Sequence, residues 1–401
     1  MIVALFAMFS DNRGRYSHLL PALLTNILCL GVVAGLTTAR AADLDVKTVI
    51  ADLALRESAI PLRDTPDWKP PKKIIVNVQR HPERLAWFQQ VVKDPNLVPV
   101  NSEREAIVAM AANPDADALV GFQCGERAHP NPAAVEMIKK AVAGKKVRWI
   151  QISAAGVEGC AALPEARDSK ILFSSMQGAQ GGLIAEHTMG LLLYLTRQLD
   201  LTRRQQQEEV WANPPKVVEL HGKTLLILGL GGNGLEVASR ARAFGMKIIA
   251  TRNTGRDHPD YVEYVGGPDE TDKLAAQADV IVASLPLTPE TTHMFNAAFF
   301  GKLKPTAYFL NIGRGESVVT DDLIAALTTN RLAGAGLDVT DPEPLPKGHP
   351  LWKAPNLIIS PHNSTSSEVA DDRRQTLLRE QMRRFAVGEK MLMVVDLKRG
   401  Y

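Results

Sequence analysis

The stretch LLILGLGGNG, from Leu225 to Gly234, decides how the second half of this chain folds, together with KIIATRN at 247–253. Gly229, Gly231 and Gly234 satisfy the pattern G-x-G-x-x-G, which is weak alone because glycines gather in many turns. Here it follows an apolar strand, opens the helical run LEVASRARAFG and leads into a second strand ending at Arg252, the context of a dinucleotide-binding βαβ unit. The first glycine permits the tight turn, the second lets a pyrophosphate approach the backbone, and the third lets helix and strand pack closely. Free N–H groups at the helix N-terminus, around Gly232 and Asn233, then face the phosphates. Asn233 stands where such loops often carry an apolar residue, which weakens the packing part of this expectation.

A carboxylate at the end of the second strand would hydrogen-bond the adenosine ribose and repel a 2′-phosphate. This chain has Arg252 there, with Asn253, Thr254 and Arg256 close behind. A guanidinium takes a phosphate in fork geometry. NADP(H) is therefore the expected cofactor, with NAD(H) possible; the alternative is an exposed arginine whose stem covers the sheet edge.

The chain has 401 residues, 45% apolar and 22% charged, which is the balance of a soluble globular protein of about two domains. A net charge of +2 with no long basic run gives no nucleic-acid footprint. Cys29, Cys124 and Cys160 form no CxxC pair and no cluster with histidine, so no structural metal is expected. The first forty or so residues differ from the rest. Arg13 and Arg15 precede ILCLGVVAGL at 27–36, and ARA at 39–41 sets small residues where a signal peptidase reads. Residues 1–41 are expected to be a secretory signal peptide, making the protein secreted or periplasmic if it is used and cytoplasmic otherwise. A membrane anchor or a misassigned start are the alternatives. Pro21, Thr25 and Asn26 leave the apolar run short of the roughly 20 residues a span requires, so no stable membrane span is expected. Cleavage after Ala41 removes three arginines, one aspartate and Cys29, taking the charge from +2 to 0. Whether Cys124 and Cys160 then pair is not encoded in the sequence.

After a Pro-rich linker, DTPDWKPPKK, short β-branched runs alternate with helical segments: KIIVNVQ, DALVGF, VRWIQIS and ILFSSM, with PAAVEMIKKAVAG at 132–144 among the helices. One long helix is expected over 183–209. A second series follows, TLLILGL, KIIATR, DVIVASL, AYFLNIG, AGAGLDV and LIISPH, and a final helix near 366–387 packs back on the first domain. Strands alternating with helices of this length indicate parallel βαβ units, here an α/β chain of two doubly wound parallel-sheet domains.

Three ionisable residues fall on loops after strands of the second series: Arg314 in NIGRGESVV, Glu343 in LDVTDPEPL and His362 in IISPHNS. Ligands of open α/β sheets sit at the carboxyl ends of the strands, so all three can face a nicotinamide. The stretches VRWIQISAAGVE, AEHTMGLLLYLTR, LHGKTLLILGLGGNG, LPLTPETTHMF, NIGRG, GLDVTDPEPLP and SPHNS, in that order, resemble the D-isomer-specific 2-hydroxyacid dehydrogenase family from about 72 to 401, in particular its glyoxylate and hydroxypyruvate reductases. The resemblance implies a flavodoxin-like substrate-binding domain at 42–182 plus 364–401 and a Rossmann NAD(P)-binding domain at 183–363. It makes Arg314, Glu343 and His362 the catalytic set. It has the N–H groups around Ala155 and Gly156 hold the substrate carboxylate with Arg314, Asp338 contact the nicotinamide carboxamide, and Ile312 line the nicotinamide site. It also implies a homodimer through the helix bearing Met189, Leu191, Leu192, Leu193 and Leu195.

Reducing a 2-keto acid to a D-2-hydroxy acid places a hydride on the carbonyl carbon and a proton on its oxygen, so the site needs a proton donor and charge for the developing alkoxide. His362 supplies the proton; imidazole titrates near ~6.5, and an adjacent carboxylate such as Glu343 raises that value. Arg314 spans the substrate carboxylate and carbonyl oxygen. Each residue alone reads equally well as an ordinary loop residue; their conjunction at strand ends carries the enzymatic expectation. The alternative is a catalytically silent dinucleotide-binding sensor or corepressor-like module, which would not need all three together. Formate-type chemistry usually pairs its histidine with glutamine, unlike Glu343, while phosphite oxidation is left open. His187 and His293 read as helix-start and packing residues, and side chains near GFQCGERAH are expected to shape the substrate pocket.

Overall fold

Continuous apolar runs such as Ile74, Ile75 and Val76 or Leu225, Leu226, Ile227 and Leu228 are buried on both faces, as strands of a helix-covered parallel sheet must be. The computed structural model describes residues 45–401 apart from 54, 67, 80, 93–95, 126–130 and 215–216. The expected signal at 1–41 and the ERAH part of GFQCGERAH lie outside the described residues. Asp45–Tyr401 form one compact unit built on two parallel sheets.

The first sheet contains β1 (Lys73–Asn77), β2 (Asn96–Val100), β3 (Ala118–Phe122), β4 (Trp149–Ile152) and β5 (Leu172–Ser174) in the order β2-β1-β3-β4-β5, the flavodoxin-like arrangement. The second contains β6 (Thr224–Leu228), β7 (Lys247–Thr251), β8 (Tyr264–Gly266), β9 (Val280–Ala283), β10 (Tyr308–Asn311), β11 (Gly334–Leu337) and β12 (Leu357–Ile359) in the order β12-β11-β10-β9-β6-β7-β8. Its direction of winding reverses between β6 and β9, the switch point at which a Rossmann sheet opens its ligand crevice. Helix α1 (Pro132–Gly144) shows the local logic: Asn131 accepts from the N–H groups of Ala133 and Ala134, Pro132 opens the helix, and Ala134, Met137, Ile138 and Ala141 form its buried face.

The short helix α2 (Glu158–Ala161) follows β4, and its Cys160 is joined by a disulfide to Cys124, beyond β3. The long helix expected over 183–209 is instead two, α3 (Gly181–Thr196) and α4 (Leu199–Gln207). The Thr196 carbonyl accepts from Val218 N–H at 2.8 Å instead of from its own helix, and Gln198 takes φ 52°. Met189, Leu191 and Leu192 of α3 are interior residues packed in the core of the second sheet, with Leu193 and Leu195 partly buried against it. Helix α5 (Gly232–Ala243) opens at the glycine loop. Helix α6 (Glu368–Val387), capped by Ser367, returns to the first sheet: the Phe385 ring lies 4.7 Å from that of Trp149, and Gln381 donates to the Gln151 side chain at 3.1 Å. The chain then adds to the edge of the first sheet, where Val394 bridges Ser174 and Val395 N–H donates to Phe173.

Candidate active site

The glycine loop meets the geometric demands of a pyrophosphate. Gly229 has φ +95°, and a Cβ there would lie 2.6 Å from the Ser284 carbonyl. A Cβ on Gly234 would strike the Gly229 carbonyl, so this glycine is what lets α5 close onto β6. Gly231 is different: nothing stands within 4 Å of where its Cβ would be. That open space lies at the start of α5, whose N-cap is Gly231 and whose first turn has no side-chain cap, so its N–H groups are left for an anion. These residues fit a dinucleotide. Gly232 instead packs against Gly178, 3.0 Å from its missing Cβ, and Asn233 lines the adjoining cleft in place of an apolar packing residue.

The cleft is lined from both sheets by Gly156, Glu158, Asn233, Ile312, Arg314 and Tyr401, among others. Ala155 lines it too. His362 and Glu343 stand outside its lining but within electrostatic reach of Arg314.

His362 owes its position to Asp338. The Asp338 carboxylate is buried and accepts from Ser360 Oγ at 2.8 Å, Asn363 N–H at 3.1 Å and Ser364 N–H at 3.4 Å, while its carbonyl accepts from His362 N–H at 2.8 Å. These bonds hold His362 at φ 49°, a left-handed conformation that few non-glycine residues adopt. Its Nδ1 meets Glu343 Oε1 at 2.6 Å, which leaves Nε2 as the ring nitrogen for a ligand. The hydrogen bond that His362 donates to Glu343 raises the His362 pKa above 6.5, against a burial that lowers it. Burial pushes Glu343 up, but the hydrogen bond and charge of His362 outweigh it and leave the carboxyl below 4.5.

Arg314 is held from three sides. Its Nε pairs with Glu158 Oε1 at 2.9 Å and its Nη1 donates to the Gly313 carbonyl at 2.7 Å. A Cβ on Gly315 would collide with the Thr340 carbonyl, so the Arg314 backbone runs against the loop that carries Glu343. Nη2 points toward Gly156, whose missing Cβ would strike it. Sequence reasoning missed Glu158, although a carboxylate inside the small apolar run AAGVEGCAA was a visible signal. His187, read as a helix-start residue, meets Ser360 Oγ at 2.7 Å through Nε2 and so ties α3 to the His362 loop. His293 lies on an exposed turn at φ 56°. Arg252 donates to the Asp257 carbonyl at 3.0 Å, which keeps its guanidinium at the end of β7.

A Rossmann sheet with its glycine loop at the switch point, facing a flavodoxin-like lobe across a cleft, defines a two-lobed dinucleotide-dependent α/β oxidoreductase. A family profile described as the D-isomer specific 2-hydroxyacid dehydrogenase NAD binding domain matches residues 189–364. A glyoxylate reductase of Thermofilum pendens is 34% identical over 57% of this chain and 68% of its own length. A human glyoxylate reductase/hydroxypyruvate reductase is 34% identical over 55% of this chain and 68% of its own. The solved structure of a D-isomer specific 2-hydroxyacid dehydrogenase family protein from Aeromonas salmonicida is 33% identical, covers 82% of this chain and 99% of its own, and superposes with a TM-score of 0.66. The chain belongs to the D-isomer-specific 2-hydroxyacid dehydrogenase family.

Proposed function

We propose that the protein reduces a small 2-keto acid of the glyoxylate or hydroxypyruvate type to the D-2-hydroxy acid, preferring NADPH to NADH, and catalyses the reverse oxidation. The observation that carries this is the 2.6 Å pair of His362 and Glu343 within electrostatic reach of Arg314, which lines the cleft that the glycine loop borders at Asn233. The names of the 34% identical relatives support the substrate class. Arg314 Nη2, with the N–H groups around Ala155 and Gly156, binds the substrate carboxylate. His362 hands a proton from Nε2 to the carbonyl oxygen, and Glu343 keeps that imidazole charged until it does. Ile312 and Asp338 border the nicotinamide ring, which when bound supplies the hydride. The lobes are 42–182 plus 364–401 for substrate and 183–363 for cofactor. Two copies pair as a homodimer. The Cys124–Cys160 disulfide supports export through residues 1–41, because such bonds persist in oxidising compartments.

The test is loss of nicotinamide absorbance with a panel of 2-keto acids and both cofactors. Turnover of at least one small keto acid is expected; tight cofactor binding with no turnover would favour the sensor instead. In the same assay Arg252→Asp is expected to lower kcat/KM with NADPH at least ~10-fold relative to NADH, the loss of a charge-assisted hydrogen bond. An unchanged ratio would make Arg252 bystander surface.

The pH profile follows from the His362–Glu343 pair. Reduction needs charged His362, so kcat/KM for the keto acid falls as pH rises through a value above 6.5, while oxidation, which needs the neutral ring, rises over the same range. The acid limb lies below 4.5, where Glu343 takes a proton. Glu343→Gln removes the partner that raises His362, so the alkaline limb moves to lower pH. A limb that stays in place would dissociate Glu343 from this titration.

A further inference from the structure

We propose that Glu158 is a positioning residue for the reaction: reaching across the cleft from α2, it fixes the guanidinium of Arg314 so that Nη2 is the nitrogen presented to the substrate. This rests on the role proposed for Arg314 above and names the group that orients it.

The backbone of Arg314 is fixed by residues close to it in sequence. Its carbonyl accepts from Asn311 Nδ2 at 2.9 Å and from Ser317 Oγ at 2.7 Å. The side chain needs more, because a planar guanidinium held at one nitrogen turns about that contact. The Gly313 carbonyl engages Nη1 at 2.7 Å, and the ion pair of Nε with Glu158 Oε1 at 2.9 Å adds a second point from the opposite side of the cleft. With those two nitrogens occupied, Nη2 remains, and it lies against Gly156, where a Cβ would strike it.

Glu158 is itself firmly placed. It opens α2, and its carbonyl accepts from Ala162 N–H at 2.9 Å. The helix is seated against the chain beyond β3: a Cβ on Gly159 would collide with the Cys124 and Gly125 carbonyls, and the disulfide joins Cys160 to Cys124. Glu158 is 7% exposed and lines the cleft. A buried carboxylate beside a cradle for an anionic substrate is unfavourable on two counts, since it gives up hydration and repels the substrate carboxylate. That repulsion acts at close range, because Glu158 Oε2 lies 2.5 Å from where a Cβ of Gly156 would be. The charge of Arg314 compensates Glu158, and Glu158 in turn sets the direction of the guanidinium. The acid therefore weakens ground-state binding and acts for the transition state, when Nη2 must meet the developing alkoxide.

The test is steady-state reduction of the small 2-keto acid that the wild type turns over fastest, across pH, by Glu158→Gln and Glu158→Asp, with melting curves alongside. Glu158→Gln is expected to lower kcat by ~10²-fold, the effect of a misplaced group, and to leave KM within ~3-fold, because relief of like-charge repulsion offsets the looser guanidinium. Glu158→Asp, which keeps the charge on a shorter stem, is expected to return kcat to within ~10-fold of wild type. The pH profile separates the two further. His362 faces the charges of Glu343, Arg314 and Asp338, of which Arg314 lowers its pKa. Removing the Glu158 charge leaves Arg314 uncompensated, so Glu158→Gln moves the alkaline limb of reduction to lower pH while Glu158→Asp leaves it in place. A Glu158→Gln enzyme with kcat within ~3-fold of wild type overturns the positioning role and leaves the reductase reading standing. Equal losses in both variants with a lowered melting temperature also overturn it, as the mark of a purely structural residue. A wild type that reduces no small keto acid overturns the reading and the inference together.

Discussion

His362→Asn should slow keto-acid reduction by ~10²–10⁴-fold, the range for removing a positioned general acid, while dinucleotide affinity stays within ~2-fold. Asparagine is the informative replacement because position 362 has φ 49°, which asparagine adopts more easily than alanine. The loop therefore keeps its bonds to the Asp338 carboxylate, and loss of rate reports lost proton transfer instead of a collapsed loop. In the variant Glu343 no longer has an imidazolium partner, so burial moves its carboxyl back up and the alkaline limb of the profile disappears. Single-turnover rates at several pH values, with cofactor binding measured alongside, make the check. A variant that reduces keto acids within ~10-fold of wild type would remove His362 from the chemistry.

Local patterns carried most of the fold. The glycine loop, the fully buried strands and the amphipathic α1 each advertise themselves within a dozen residues, and the strand-end positions of Arg314, Glu343 and His362 followed from them. What the sequence concealed depends on partners far away in the chain. Strand β2 was missed because Pro99 interrupts NLVPV, a break an edge strand tolerates. The end of α3 is set by Val218, and nothing within the helix announces it. Glu158 is an ordinary acid until the fold brings Arg314 to it, and Asn253 and Tyr401 meet only because α6 carries the chain back to the first sheet.

Gly156→Ala should lower kcat/KM for the keto acid by ~10²-fold, the size of effect that a misplacement of about 1 Å produces in a binding group. The backbone at 156 is not in the glycine-only region, so the added methyl acts through space alone. It would occupy the volume now held by Arg314 Nη2 and lie 2.5 Å from Glu158 Oε2. Both are ends of flexible side chains, which can yield without disturbing the strands, so thermal stability should change little. The guanidinium has few places to go. Moving away from residue 156 costs it either the 2.9 Å pair with Glu158 or the 2.7 Å bond to Gly313, and every such movement takes Nη2 out of the substrate cradle. The loss should therefore appear in both KM and kcat, since the role proposed for Arg314 has it grip the carboxylate in the ground state and the developing alkoxide in the transition state. A Gly156→Ala enzyme with kcat/KM within ~3-fold of wild type and an unaltered melting curve would mean that Nη2 is not the group that meets the substrate.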